Sequence, residues 1–329
     1  MTGTGSRSLA TLPKAHLHVH LEGAMRPSTL DEFCKRRGTV APPVATSYGT
    51  FADFQALYVA ARTSIETVDD LDRLVSEVVE DAAADGAVWI EPAFHLPGHP
   101  GLGDDVFVLE VLLEAGRRAT AATGVGIGWL VSIDRTQSPA LAVEQATIAA
   151  RYAGNGVVAL GLANDEAAGA PEPFAPAFAI AREAGLISAP HAGEHGGPDS
   201  VRGALDALGA QRIQHGVRSL EDPDVVQRLV DADVCLDVCP TSNVSLSVVE
   251  ALSTHPLPAL LDAGVFCSIN ADDPLLFSVG LLDEYIVGRE QLGLDDTSLA
   301  DCARTSIERS GAPAEMKALG ARNIDSWLL

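Results

Sequence analysis

The sequence predicts an α/β chain folded as a single (β/α)8 barrel, and three observations lead there. Eight short apolar runs alternate with stretches whose apolar residues recur at i, i+3 and i+4, as in helices packed on one face. Parallel neighbours need a crossover, so strands separated by helices pair in parallel. No G-x-G-x-x-G turn follows the first run, which removes the usual mark of a doubly wound nucleotide-binding sheet. Polar, metal-competent residues also gather at the ends of several runs, and that rim is where barrel active sites lie.

In chain order, the first strand falls at Ala15–Leu21, with helical patterns near Pro27–Arg37 and over Val68–Asp85. The second strand, Ala87–Phe94, leads to a helix over Val106–Thr123, and the third, Gly126–Ser132, to one over Ala140–Ala153. Val157–Ala163 is the fourth strand, followed by helical Phe174–Glu183. Ile187–His191 precedes a helix at Ser200–Leu208, and Arg212–His215 precedes one at Asp224–Asp231. Val234–Val238, a helix at Leu257–Asp262 and a last strand at Val265–Asn270 complete the set. Thr39–Thr50 and Glu166–Phe174 are short enough to be loops, so residues 1–329 form one domain. About 250 residues is usual for such a barrel, and insertions lengthen it.

Composition narrows the function. The chain has 45 acidic and 22 basic residues, a net charge of −23, which repels nucleic acid and anionic membranes. No stretch approaches ~18 consecutive apolar residues, and Met1–Leu12 lacks the apolar core of a secretory signal. The cysteines (34, 235, 239, 267 and 302) are odd in number and form no C-x-x-C pair, which fits reduced thiols in the cytoplasm.

The first strand reads KAHLHVHLEG, and strand alternation sends His16, His18 and His20 to one side. Burying three imidazoles without partners is costly, and a divalent metal would offset that cost. His191 ends the fifth run, His215 the sixth, and Asp272 follows the eighth. Singly, Asp272 and Asp273 read as turn residues before Pro274, and Glu194 as a solvated loop acid. Together, three imidazoles and a carboxylate suit one zinc-type ion with a position left for water, whose pKa it lowers toward ~7. Glu194, three residues past His191, is placed to act as acid or base, and His215 to orient the attacking oxygen. The chemistry expected is metal-assisted hydrolysis.

The blocks LPKAHLHVHLEGA, GLANDE, HAGE, RIQHG, VCPTSN and NADDP, in this order, resemble the adenosine/adenine deaminase family of the amidohydrolase superfamily from about Leu12 onward. The resemblance implies a barrel with one zinc per chain that removes the 6-amino group of a purine as ammonia. By position, it implies His18, His20, His191 and Asp272 as metal ligands, and Glu194 as the acid that protonates purine N1. It implies that His215 orients the water, Asp273 contacts N7, His20 also faces the substrate, and Glu22 meets the ribose 5′-hydroxyl. Without the resemblance, Glu22 would read as a loop acid capping the next helix. His16 falls where the family usually has Glu and stays outside the metal shell.

Asn164 stands where many relatives have a glycine whose N–H approaches purine N3, and Gln214 where glycine is common. Trp89–Pro100 lacks the Glu-x-Arg pattern many relatives show, and GLANDE lacks the Ser-Ser-Glu type of adenine-specific ones. A small-molecule nucleoside, adenosine or 2′-deoxyadenosine, is therefore the expected substrate. Adenine or a modified nucleoside such as aminodeoxyfutalosine is the alternative. A non-catalytic purine-binding barrel would have lost a ligand or the acid, and all are present. A two-metal hydrolase of the phosphotriesterase kind would often carry a lysine at the end of the fourth strand, where ALGLAND has none.

Overall fold

Among the described residues, ten parallel strand segments form eight staves in chain order. They are β1 (Lys14–His20), β2 (Ala87–Phe94), β3 (Gly126–Ile127 and Trp129–Asp134), β4 (Val157–Ala163), β5 (Ile187–Ser188 and His191–Ala192), β6 (Arg212–His215), β7 (Cys235–Val238) and β8 (Phe266–Ile269). The structure is a computed structural model and describes residues 7–43, Tyr48 and residues 51–329. Within the expected N-terminal stretch and the Thr39–Thr50 loop, residues 1–6, 44–47, 49 and 50 lie outside the described residues. β5 is interrupted at Pro190, which has no N–H to give to the ladder. Ser188 and Pro190 still accept from the Gln211 and Gln214 N–H groups at 3.0 Å each, which carries the sheet across the gap.

The barrel closes between β8 and β1. His20 N–H donates to the Asp272 carbonyl at 3.0 Å, and Asp272 N–H to the His18 carbonyl at 3.1 Å. Below them a side chain does the work of a strand, as Asn270 Oδ1 accepts from the Leu17 and His18 N–H groups at 2.7 and 3.1 Å. Asn270 in turn donates to Ser268, and Ser268 to Asp237. Asp237 and Glu91 hold the fully buried Arg212 at 3.2 and 2.7 Å. This buried ion triad fills the barrel interior beneath the rim. In each carboxylate one oxygen faces the guanidinium and the other is hydrogen-bonded, Glu91 Oε1 accepting from the Trp89 indole and Gly311 N–H and Asp237 Oδ1 from the Ser268 hydroxyl.

One expectation from alternation needs correction. Between His16 and Val19, three steps along β1 match two along β2, since His16 pairs with Ile90 and Val19 with Pro92. The extra residue is a bulge, and a bulge reverses the parity of side chains on either side of it. His16 therefore shares a wall with Val19, Val78 and Ile90, outside the rim site, and its Nε2 accepts from Ala271 N–H at 3.1 Å. His18 and His20 keep the inward orientation.

Among the described residues, the α-helices between β1 and β2 are α1 (Pro27–Arg36), α2 (Phe51–Ser64) and α3 (Val68–Ala84). In α3, a capping box between Thr67 and Asp70 satisfies the first-turn donors, and the Leu71, Leu74, Val75, Val78 and Val79 face is buried. α2 carries no strong apolar period and was not expected, yet it forms one wall of the cavity over the rim. Helices Leu281–Glu290, Asp296–Glu308 and Ala314–Leu328 follow the last strand. Among the described residues no helix is long and apolar enough to cross a membrane, and all five cysteines are buried and free.

Candidate active site

The carboxyl ends of β1, β5, β6 and β8 bring His18, His20, His191, His215 and Asp272 together. Ligand atoms of His18, His191, His215 and Asp272 all lie within 4.8 Å of one another. His18 Nε2 and His20 Nε2 approach the same Asp272 oxygen, at 3.1 and 3.3 Å. Two bonds of about 2.1 Å at a tetrahedral angle would separate ligand atoms by about 3.4 Å, so these spacings suit a zinc-type ion. The ring nitrogens facing away are already committed. His18 Nδ1 donates to the Asp237 carbonyl at 3.0 Å and His191 Nδ1 to the Leu162 carbonyl at 3.1 Å. Each contact leaves the Nε2 lone pair aimed at the cluster, as metal-ligating histidines require. His18 Nε2 is buried without a hydrogen-bond partner, an orphan that a metal ion would satisfy. Burial, with the other imidazoles nearby, holds His191 far below the usual imidazole range and so keeps it a neutral ligand.

Asp272, His215 and Asn164 adopt positive φ angles of 60°, 67° and 79°. Such angles are uncommon outside glycine and concentrate where surrounding structure over-determines the backbone. At Asp272 the overdetermination is the pair of β1–β8 bonds. At Asn164 the conformation explains why asparagine stands in a glycine position, since asparagine tolerates the left-handed region. Its side chain accepts from Gln55 at 3.0 Å and donates to Asp134 at 3.1 Å, which ties α2 to β3.

Glu194 is buried with its carboxyl 3.5 Å from His215 Nε2. Burial, reinforced by the negative charges of Asp272 and Glu166, pushes its pKa well above the usual carboxylate range, which favours the protonated acid. Glu166 went unrecognised in the sequence as a functional residue. Its carboxylate accepts from the Gly193, Glu194 and Gly196 N–H groups at 2.8, 2.9 and 2.6 Å, and from the Ser200 hydroxyl at 2.6 Å. It thereby clamps the loop that presents Glu194. The only sequence signal was a glutamate ending GLANDE, a residue type that is usually solvated.

Asp273 is buried, lines the cavity, and has an Oδ1 without a partner. Burial and the charge of Asp272 push its pKa well up. Gly23 makes room for it, because a Cβ there would fall 1.6 Å from that oxygen. Glu22 sits differently from a free rim carboxylate. It is fully buried, accepts from Tyr58 OH at 3.1 Å, and pairs with His99 Nε2 at 2.8 Å. Tyr58, rather than Glu22, forms the cavity wall at this point. The Trp89–Pro100 segment thus supplies His99 to Glu22, and also His95 to the cavity, where Gln137 holds it at 3.2 Å. Gln214 is buried beneath the rim and takes no part in the cavity. The cavity measures about 300 Å³, and its polar wall includes His20, Tyr58, Arg62, Asn164, Glu194 and Asp273.

The adenosine deaminase family model matches residues 13–327. A Streptomyces coelicolor protein provisionally named adenosine/adenine deaminase is 43% identical over 98% of each chain. An aminodeoxyfutalosine deaminase from the same organism is 35% identical over 97% of this chain and 85% of its own. The crystal structure of adenine deaminase from Arthrobacter aurescens superposes with a TM-score of 0.88 at 30% identity, covering 96% of this chain and 99% of that one.

Proposed function

The chain belongs to the adenosine deaminase family, and from that premise we propose that it hydrolytically deaminates a 6-aminopurine nucleoside. Adenosine and 2′-deoxyadenosine would yield inosine and 2′-deoxyinosine with ammonia. His18, His20, His191 and Asp272 would hold one zinc ion, which supplies Lewis-acid activation of water when bound. The observation that carries the reading is a buried Glu194 carboxyl facing His215 beside an orphaned His18 nitrogen.

Attack at C6 breaks the aromaticity of the ring and drives electron density onto N1. A buried carboxylic acid there can deliver the proton as that density builds, a contribution of ~10²–10⁴-fold. Glu194 fills this role because Glu166 fixes its backbone and because burial favours its protonated form. Asp273, with its pKa raised, offers an O–H to purine N7, which can only accept. The Asn164 backbone approaches N3, and His20 forms part of the purine floor. Glu22 acts on the sugar side through Tyr58, whose ring lies between it and the cavity. The buried, unpaired cysteines support a reducing, cytoplasmic setting.

A second reading concerns the 9-substituent, and Arg62 favours it. Arg62 lines the cavity one helical turn beyond Tyr58, and its Nε is buried without a hydrogen-bond partner. A guanidinium Nε left without a partner in the cavity wall of so acidic a chain suits a 5′-extended, anionic nucleoside. Ammonia release from adenosine, 2′-deoxyadenosine, adenine, AMP and aminodeoxyfutalosine, measured side by side, decides between the two. The first reading expects similar kcat/KM for the two simple nucleosides and poor turnover of adenine. A preference for adenine overturns both, whereas a preference for the extended substrates that Arg62→Gln abolishes establishes the second.

A further inference from the structure

We propose that Asn243 and His255 are positioning residues that lock His215 as a neutral imidazole with its proton on Nε2. In the deamination proposed above, on which this role rests, His215 then donates a hydrogen bond to the attacking oxygen and does not serve as its base.

One hydrogen bond at His255 has a direction fixed by the backbone. The Leu257 backbone N–H can only donate, and it meets His255 Nδ1 at 3.1 Å. That nitrogen must present its lone pair. His255 is buried, and burial lowers its pKa to about 4, so its single proton sits on Nε2. His255 Nε2 lies 3.2 Å from Asn243 Oδ1 and donates to it. This contact sets the orientation of the Asn243 amide, so Asn243 Nδ2 donates to His215 Nδ1 at 3.1 Å. His215 Nδ1 is therefore an acceptor and its proton resides on Nε2. That N–H faces Glu194 Oε1 at 3.5 Å and Asp272 Oδ2 at 3.8 Å.

The opposite assignment fails at both ends. Turning the amide over would set its NH2 against His255 Nε2 and force the His255 proton onto Nδ1, head-on to the Leu257 N–H. An imidazolium at His215 would set its own Nδ1–H against the Asn243 NH2. All three side chains are buried, so water cannot relieve either conflict cheaply. The segment Pro240–Ser245 that carries Asn243 also directs the Ser242 hydroxyl to Asp272 Oδ2 at 2.7 Å. One short turn thus orients both groups flanking the attacking oxygen.

Side-chain 15N NMR of histidine-labelled protein, metal-free and zinc-loaded, reads the tautomer directly. The expected spectra show His215 and His255 protonated at Nε2 and bare at Nδ1. Asn243→Asp keeps the shape but replaces the donor with an acceptor. It is expected to move the His215 proton to Nδ1 and to lower kcat by on the order of 10²–10⁴-fold, with KM changed less than about threefold. His255→Met releases the amide without touching His215, and is expected to give a mixed tautomer with an intermediate kcat. A wild-type His215 protonated at Nδ1 overturns the proposal, as does an Asn243→Asp variant with the proton moved and kcat intact. If Asn243→Asp does not fold, the wild-type and His255→Met spectra still decide. If no purine is deaminated, the reading of the reaction fails while the spectra independently judge the tautomer.

Discussion

Gly23→Ala is the most sharply defined perturbation of the rim. The added Cβ would lie 1.6 Å from Asp273 Oδ1, 2.6 Å from its Cγ and 2.9 Å from its Cβ. Ordinary contact lies at about 3.5–4.0 Å, so the carboxyl must retreat by roughly 2 Å. The backbone at Gly23 is one that alanine adopts readily, which makes the effect steric rather than conformational. Asp273 has little room, being buried beside Asp272 at the start of the Pro274–Phe277 turn. Overpacking of this kind costs about 1–3 kcal/mol of stability. Losing one hydrogen bond between a carboxyl and the purine costs about 1–3 kcal/mol, or roughly 10–100-fold in kcat/KM. The assay is kcat/KM for adenosine together with thermal unfolding, for Gly23→Ala, Asp273→Ala and the double variant. Removing the carboxylate relieves the two closest contacts, so the double variant is expected to resemble Asp273→Ala alone, a coupling of about 1–3 kcal/mol. Wild-type kcat/KM in Gly23→Ala, or strictly additive losses in the double variant, would refute the reasoning.

Protein purified without added metal is expected to contain one zinc-type ion per chain by elemental analysis and to lose activity on chelation; two ions per chain would contradict the site. Glu194→Gln is expected to keep metal and substrate binding while losing about 10²–10⁴-fold in kcat, and a near-normal kcat would reject its role as the acid. Glu166→Gln removes a negative neighbour of Glu194, which lowers the pKa of an acid that must be protonated to act. The high-pH limb of kcat is then expected to move to lower pH, with kcat itself reduced by the loosened loop; an unmoved limb with full kcat would show that the clamp has no catalytic consequence.

The residues proposed to carry the chemistry were legible in the sequence because a parallel barrel converts run ends into one rim. His18, His20, His191, His215, Glu194, Asp272 and Asp273 each end or follow an apolar run, and all of them meet in space. A two-residue strand period and a fixed crossover direction are local and topological properties, so they can be read without coordinates. The side on which His16 falls could not be read this way. The bulge that turns it outward is set by pairing between β1 and β2, segments some seventy residues apart. The same holds for partnership. Glu22 and Glu166 look alike on paper, yet one is closed off by His99 and Tyr58 while the other gathers three backbone N–H groups and a hydroxyl. The tautomer of His215 is decided by a backbone N–H at Leu257, two side chains away. Hydrogen-bond direction depends on which donors and acceptors tertiary packing brings within about 3 Å. Sequence therefore determined which groups reach the rim, and the tertiary structure decided the protonation, orientation and partner of each.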